Sequence, residues 1–266
     1  MLLTAIHIYP VKSLAGISLT ESVVESRGLR YDRRWMLVTP EGKFLTQREY
    51  PAMALIGTAI EPPFLVLFDR SNPNDRIGVP LEITAAGLSG LEVEVWDDRC
   101  GAVLVSTDAD LWLSSKLNAP VQLVGMPDTT SRAADRRYAP EGQMVSFADG
   151  YPFLIIGEAS LADLNSRLEI PVPMNRFRPN LVFSGGTPFC EDGWRDFTIS
   201  DQPFCAVKPC ARCIMTTIDQ QTSTKNAEPL RTLASYRKQE NKVLFGQNVI
   251  WMGKENEATI KVSDEL

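Results

Sequence analysis

The first hundred residues of this 266-residue chain form a run of short strand-type segments broken by turn signals. Nothing else in the sequence constrains the fold as strongly. Apolar, β-branched and aromatic residues mark segments 3–9, 18–24, 35–38, 43–46, 54–60, 64–68, 91–96 and 102–105. Pro40-Glu41-Gly42 and Glu61-Pro62-Pro63 lie between them. Proline presets φ and glycine accepts positive φ, so such clusters read as turns. Many short strands at this spacing predict a barrel or sandwich.

Helices are few. The pattern predicts one over 107–117, with Thr107 as its cap and Leu111, Leu113 and Leu117 as apolar anchors. A second is expected over 158–168, where Leu161, Leu164 and Leu168 share a face,. A third is expected over 228–238, with Pro229 in its first turn and Leu230 and Leu233 on one side,. Further strands are expected at 181–183, 197–199, 204–207, 214–218, 249–251 and 258–262. Segment 127–142 is polar and carries Arg132, Arg136 and Arg137. It reads as a mobile loop or interdomain crossing able to lid a cleft, or equally as a plain solvated linker. The fold class is therefore β-rich α+β, with a boundary near residue 120 dividing 1–120 from 121–266.

The composition, 44% hydrophobic and 23% charged, is that of a globular protein with ample core,. A net charge of −6 argues against a nucleic-acid partner held by phosphate neutralisation,. Five cysteines, an odd number without framework spacing, suggest reduced thiols and a cytoplasmic setting,. The first ten residues lack the basic and long apolar regions of a signal peptide,. No apolar run approaches the roughly 20 residues of a membrane span, so no membrane partner is expected.

Chemistry has few places to go. His7 is the one histidine, and no glycine-rich phosphate loop of standard spacing occurs,. The best candidate is Cys210-Ala211-Arg212-Cys213. Structural zinc or an iron–sulfur cluster wants four ligands, and the other cysteines are scattered singly,. A thioredoxin-like dithiol wants a helix N-terminus, and the following 214–218 run looks β-type. A single thiolate holding a cofactor-borne soft metal, with Arg212 beside it for an anion, is the fourth reading. Two small core cysteines remain the plain alternative.

Basic residues recur beside turns at Lys12-Ser13, Asp32-Arg33-Arg34, Asn175-Arg176-Phe177-Arg178-Pro179-Asn180 and Arg212. If they converge, they suit a phosphate or another oxyanion. The sequence itself does not show convergence.

Several longer pieces fix a resemblance. They are Tyr9-Pro10-Val11-Lys12-Ser13, Gly28-Leu29-Arg30-Tyr31-Asp32-Arg33-Arg34-Trp35 and Phe44-Leu45-Thr46-Gln47-Arg48. Phe147-Ala148-Asp149-Gly150-Tyr151-Pro152, Glu158-Ala159-Ser160-Leu161, Phe177-Arg178-Pro179-Asn180, the cysteine motif and Phe245-Gly246-Gln247 complete the series. In this order the chain resembles the MOSC-domain family, in particular the bacterial YcbX-like proteins and the mitochondrial amidoxime-reducing components. The resemblance implies an N-terminal MOSC-type β-barrel domain and a C-terminal MOSC β-barrel domain. It implies a molybdenum cofactor, molybdopterin carrying Mo, with Cys213 as the metal ligand. Cofactor contacts are implied at Lys12, Ser13, Arg33, Gly150, Tyr151, Arg178, Asn180, Ala211, Arg212 and Cys213. Gly150-Tyr151 stand where the amidoxime reducers carry Thr-Ser, and Ala211 where they carry Ser, so backbone donors would replace those hydroxyls. Asp149 is expected either to cap a turn or to position substrate or relay a proton.

The implied activity is reduction of N-hydroxylated small molecules by oxygen transfer to Mo(IV). Longer bacterial relatives carry an iron–sulfur domain. This chain has neither a cluster-type cysteine run nor a nucleotide fingerprint. A separate electron donor is therefore expected, a flavin reductase with an iron–sulfur or haem carrier. A persulfide carrier using Cys213 and a non-enzymatic molybdopterin carrier are the alternatives.

Overall fold

The computed structural model describes residues 1–84 and 88–266. Its largest sheet runs in the order Asp196–Ile199, Gln202–Arg212, Lys242–Trp251, Phe153–Gly157, Leu181–Ser184, Leu2–Ile8 and Ile17–Leu19. Phe153–Gly157 and Leu181–Ser184 are parallel, joined by the helix Glu158–Asn165. Three smaller sheets complete the β structure among the described residues. One orders Trp35–Val38, Gln122–Gly125, Asp98–Leu104 and Gly90–Val95. The second orders Glu257–Lys261, Glu21–Glu25 and Gly28–Leu29, and the third Ile56–Glu61, Phe64–Asp69 and Asn72–Pro80. The β-rich α+β class expected from the sequence is the class observed.

The chain's two ends are woven together. Leu2–Ile8 pairs antiparallel with Leu181–Ser184, and Glu257–Lys261 pairs with Glu21–Glu25. The main core mixes Leu3, Ile6 and Val24 with Phe153, Phe183, Phe204 and Trp251. A cut near residue 120 would therefore part strands that are bonded to each other, and would expose apolar side chains at about 25 cal/mol per Å². A second core, around Trp35, Leu65, Leu113 and Leu123, is built largely from the first 120 residues.

Several local expectations change. The helix Thr107–Leu117 is capped by Ser106, not Thr107: Ser106 has extended backbone and its hydroxyl accepts from the Ala109 N–H at 3.2 Å,. Leu111 faces solvent, and Ala109, Leu113 and Leu117 make the buried face. The third helix is Leu230–Tyr236, with Pro229 at its N-cap position. Segment 43–46 forms no strand. Phe44 makes one bridge to Val38, and the Thr46 carbonyl then turns to accept from Glu49 and Tyr50.

The 214–218 run is not a strand. Ile214–Thr217 is a 3₁₀ turn. The Thr216 and Thr217 hydroxyls donate back to the Cys213 and Ile214 carbonyls, at 3.0 and 2.7 Å. Such local bonds compete with a sheet ladder. Segment 127–142 is fastened rather than free around Arg132. That buried side chain donates to the Ser146, Ala148 and Asp149 carbonyls and pairs with Asp98.

Candidate active site

The end of the long strand Gln202–Arg212 carries the cysteine motif to the floor of a cleft of about 150 Å³. Strand geometry alternates side chains between faces, and the chain turns sharply at Cys213, the residue preceding the 3₁₀ turn,. Arg176 holds that turn in place. Its Nε donates to the Thr216 carbonyl at 2.9 Å, and its Nη1 reaches Asp219 at 3.3 Å. Cys210 and Cys213 are both half-buried free thiols.

Every residue expected at the site lines this one cleft. Lys12, Ser13 and Arg33 enter from the N-terminal segment; Asp149, Gly150 and Tyr151 from the loop before Phe153–Gly157. Arg178 and Asn180 precede Leu181–Ser184, and Ala211, Arg212 and Cys213 complete the wall. Three of them have left-handed backbone: Ser13 at φ 67, Arg33 at φ 50 and Arg178 at φ 55. Side chains larger than glycine adopt this region at a cost, and such positions concentrate at functional sites. Arg34, named with the basic set, turns away to Asp128 and the Met126 carbonyl.

Lys12, Arg33, Arg48, Arg176, Arg178 and Arg212 line the cleft against one carboxylate, Asp149. On a chain of net charge −6, this is a local positive field,. Arg33 is neutralised by Asp32, 2.6 Å away, and also donates to Asn180 Oδ1 at 3.0 Å. Asn180 Nδ2 in turn donates to the His7 carbonyl at 3.1 Å. Arg178 donates to the Leu14 carbonyl at 2.7 Å. Burial, with the Arg33 charge adding to it, brings the Arg178 guanidinium down to about 10, still a cation at neutral pH. Arg212 donates to Cys210 Sγ at 3.0 Å and to the Phe177 carbonyl at 2.7 Å.

Lys12 and Asp149 form an ion pair with unequal exposure: the lysine side chain is 7% exposed and the aspartate 64%. Partial desolvation beside the cleft works against the Asp149 charge, but the Lys12 ammonium and hydrogen bonds from Lys12 and Trp96 outweigh it. The carboxyl is held well below its usual range and stays ionised. Both donors take Oδ1, so Oδ2 accepts no hydrogen bond among the described residues.

Sequence reasoning missed three contributors. The Tyr9 ring carries both Arg33 and Arg178, at 4.4 and 4.1 Å from its centroid. Arg48 Nη2 donates to Cys213 Sγ at 3.3 Å. Trp96, 46% exposed, supports Arg48 and donates to Asp149. Tyr9 and Arg48 lay inside motifs already singled out, so their neighbours could have flagged them. Trp96 carried no local signal.

The donor set fits an anionic, metal-bearing group. Among the described residues Arg178 and Arg212 pair with no carboxylate, and the buried Arg212 Nε has no partner. A buried donor without an acceptor costs about 1–3 kcal/mol, which an oxyanion would offset. No acceptor among those residues meets the backbone N–H of Gly150 or Tyr151, consistent with backbone donors replacing side-chain hydroxyls there. Among the described residues no three of His, Cys, Asp and Glu gather as metal ligands. A metal held through Cys213 would have to bring its other ligands with it.

Residues 1–120 match the MOSC N-terminal beta barrel domain, and residues 142–266 match the MOSC domain. The chain belongs to the MOSC-domain family. This MOSC protein is 37% identical over 282 residues to mitochondrial amidoxime-reducing component 1 of Homo sapiens, covering 97% of this chain and 80% of that one. The Mus musculus counterpart is 36% identical, covering 97% and 79%. A molybdenum cofactor sulfurase of Solanum lycopersicum is 31% identical over 287 residues, and this MOSC chain spans 35% of its length. The MOSC protein is thus related to proteins named for molybdenum-cofactor chemistry.

Proposed function

We propose that this protein binds the molybdenum cofactor in the cleft and reduces N-hydroxylated small molecules such as amidoximes, hydroxylamines and N-hydroxylated bases. The observation that carries the reading is the meeting of the Cys213 thiol with the guanidiniums of Arg178 and Arg212, neither paired with a carboxylate among the described residues and the second with an orphaned Nε. Relatives named amidoxime-reducing components, matched along most of their length, support it.

Cys213 is the protein's ligand to the metal, soft sulfur suiting a centre already held by sulfur. Arg212 and Arg178 hold the anionic part of the pterin through charge-assisted hydrogen bonds, with Lys12, Ser13 and Arg33 lining the same cleft,. When bound, the cofactor supplies a two-electron centre that accepts oxygen, and the protein supplies orientation and charge. Asp149 Oδ2, ionised and accepting no hydrogen bond among the described residues, accepts an N–H of the substrate and turns its N–O bond inward. The balance is one N–OH group plus two electrons and two protons, giving N–H and water. The electrons come from a separate donor protein, a flavin reductase acting through an iron–sulfur or haem carrier.

Relatives named sulfurases favour a second reading, in which Cys213 carries a persulfide. One experiment separates the two: molybdenum and pterin content of protein made in a cofactor-competent host, with turnover of benzamidoxime by a chemically reduced viologen. Stoichiometric metal, activity with viologen and none with NADPH alone are expected. Metal-free protein bearing cyanide-labile sulfur would overturn the proposal. So would loaded protein without turnover, which would leave a cofactor carrier.

A further inference from the structure

Arg48 and Trp96 tie the thiol side of the cleft to its carboxylate side. Arg48 donates to Cys213 Sγ at 3.3 Å, and its guanidinium carbon lies 4.6 Å from the Trp96 ring centroid. The indole Nε1 donates to Asp149 Oδ1 at 3.0 Å, the oxygen that Lys12 also takes.

The backbone beneath Arg48 is fixed on both sides. Its N–H donates to Thr46 Oγ1 at 3.2 Å, and its carbonyl accepts from Lys225 at 2.9 Å. The preceding Gln47 is fully buried and donates to the Ser13 carbonyl at 2.7 Å. The guanidinium is therefore aimed at the sulfur from a rigid base.

Trp96 is placed at a cost. It opens the two-residue turn between Gly90–Val95 and Asp98–Leu104, with φ 58. Glycine or asparagine ordinarily fills such a position, because left-handed backbone crowds the Cβ of other residues. The indole is held by Asp149 at its N–H and by Phe44 at 5.0 Å, edge to face. A bulky side chain kept at a strained turn and fastened this way serves its contacts, not the turn.

We propose that Arg48 is an outer-sphere hydrogen-bond donor to the metal-ligating Cys213 thiolate, and that Trp96 is the plate that orients it. The inference rests on the cofactor reading and adds a tuning device to it. A charged N–H···S bond draws electron density from the sulfur, which then donates less to a bound metal. The reduced state gains, and the reduction potential rises. Arginine suits the task because its planar fork donates from one nitrogen while its face rests on an aromatic ring. Lysine, a point charge, cannot do both.

The test is a redox titration of loaded protein followed by absorption, alongside molybdenum and pterin analysis. Arg48→Met is expected to keep metal and pterin within about twofold of wild type, a change below half a kcal/mol. Its midpoint moves to more negative potential and its sulfur-to-metal absorption band shifts. Arg48→Gln, which keeps a weaker donor, falls between and serves if the methionine variant does not fold. Trp96→Phe keeps the plate and stays near wild type; Trp96→Ala moves with Arg48→Met. A fully loaded Arg48→Met with an unchanged midpoint overturns the proposal. Lost pterin with an unchanged midpoint in the loaded fraction also overturns it, making Arg48 a cofactor ligand instead. Wild-type protein that takes up no molybdenum is a different failure: it removes the cofactor reading beneath.

Discussion

The Arg178 guanidinium lies over the ring of Tyr9, 4.1 Å from its centroid. The same ring carries Arg33, so one buried aromatic face helps keep two like charges at one wall of the cleft. Burial pushes the Tyr9 hydroxyl up to about 12, and it donates to the Pro179 carbonyl at 3.1 Å as a neutral group. Tyr9→Phe keeps the face and loses that bond. It should cost about 1 kcal/mol in urea unfolding and leave pterin content unchanged. Tyr9→Leu removes the face and should cost about 2 kcal/mol or more, with pterin content falling as well.

Cys213→Ser should abolish turnover and remove the metal's thiolate signature, since a hydroxyl replaces the soft ligand. Cys210→Ser should be mild, because a serine oxygen still accepts from Arg212. Side-by-side metal content and viologen-driven turnover decide this. Equal losses in both variants would point to a dithiol site.

Arg212→Ala and Arg178→Ala should lower cofactor occupancy more than stability. A hydrogen bond to a charged group contributes about 1.5–3 kcal/mol, or roughly one to two decades of occupancy at limiting cofactor. Melting temperatures that collapse while pterin stays at wild-type level would make both arginines structural.

The Lys12–Asp149 pair sets an acid limit. The Asp149 carboxyl titrates below its usual 3.8 in the folded protein. Its stabilising effect is therefore fully present above that value and lost as pH falls further, toward the folded pKa. Asp149→Asn should lower stability at pH 7 by about 1 kcal/mol, a modest figure because the aspartate is largely solvent-screened. The gap between variant and wild type should narrow below about pH 3.8. Urea unfolding at pH 7, 5 and 3 reads it out.

Arg132 should prove structural where the sequence suggested a lid. Its three carbonyl bonds fix the strip that carries Asp149. Arg132→Ala should destabilise by at least about 2 kcal/mol. Limited proteolysis at segment 127–142 should be slow in wild type and fast in the variant.

The site was legible where its chemistry sits in short contiguous pieces: Lys12-Ser13, the Arg178 and Asn180 pair, and Arg212-Cys213 all reach one cleft. Trp96 was not, because its part depends on a left-handed turn and on partners 48 and 53 positions away. Thr216 and Thr217 misled for a local reason. Their composition suits a strand, while their hydroxyls bond backward and make a turn. The β-rich class was legible from strand periodicity. The pairing of Leu2–Ile8 with Leu181–Ser184 was not, since apolar alternation names no partner.

That pairing has a consequence during synthesis. Thr4 meets Val182 across 178 positions, so the first strand leaves the ribosome well before its neighbour exists. At about 5–20 residues per second, the wait is roughly ten to thirty-five seconds. The cleft needs Lys12 from the early part of the chain and Cys213 from the late part. Any cofactor must therefore load after Cys213 has been made, and a chaperone that shields the waiting strand would act before loading, not after it.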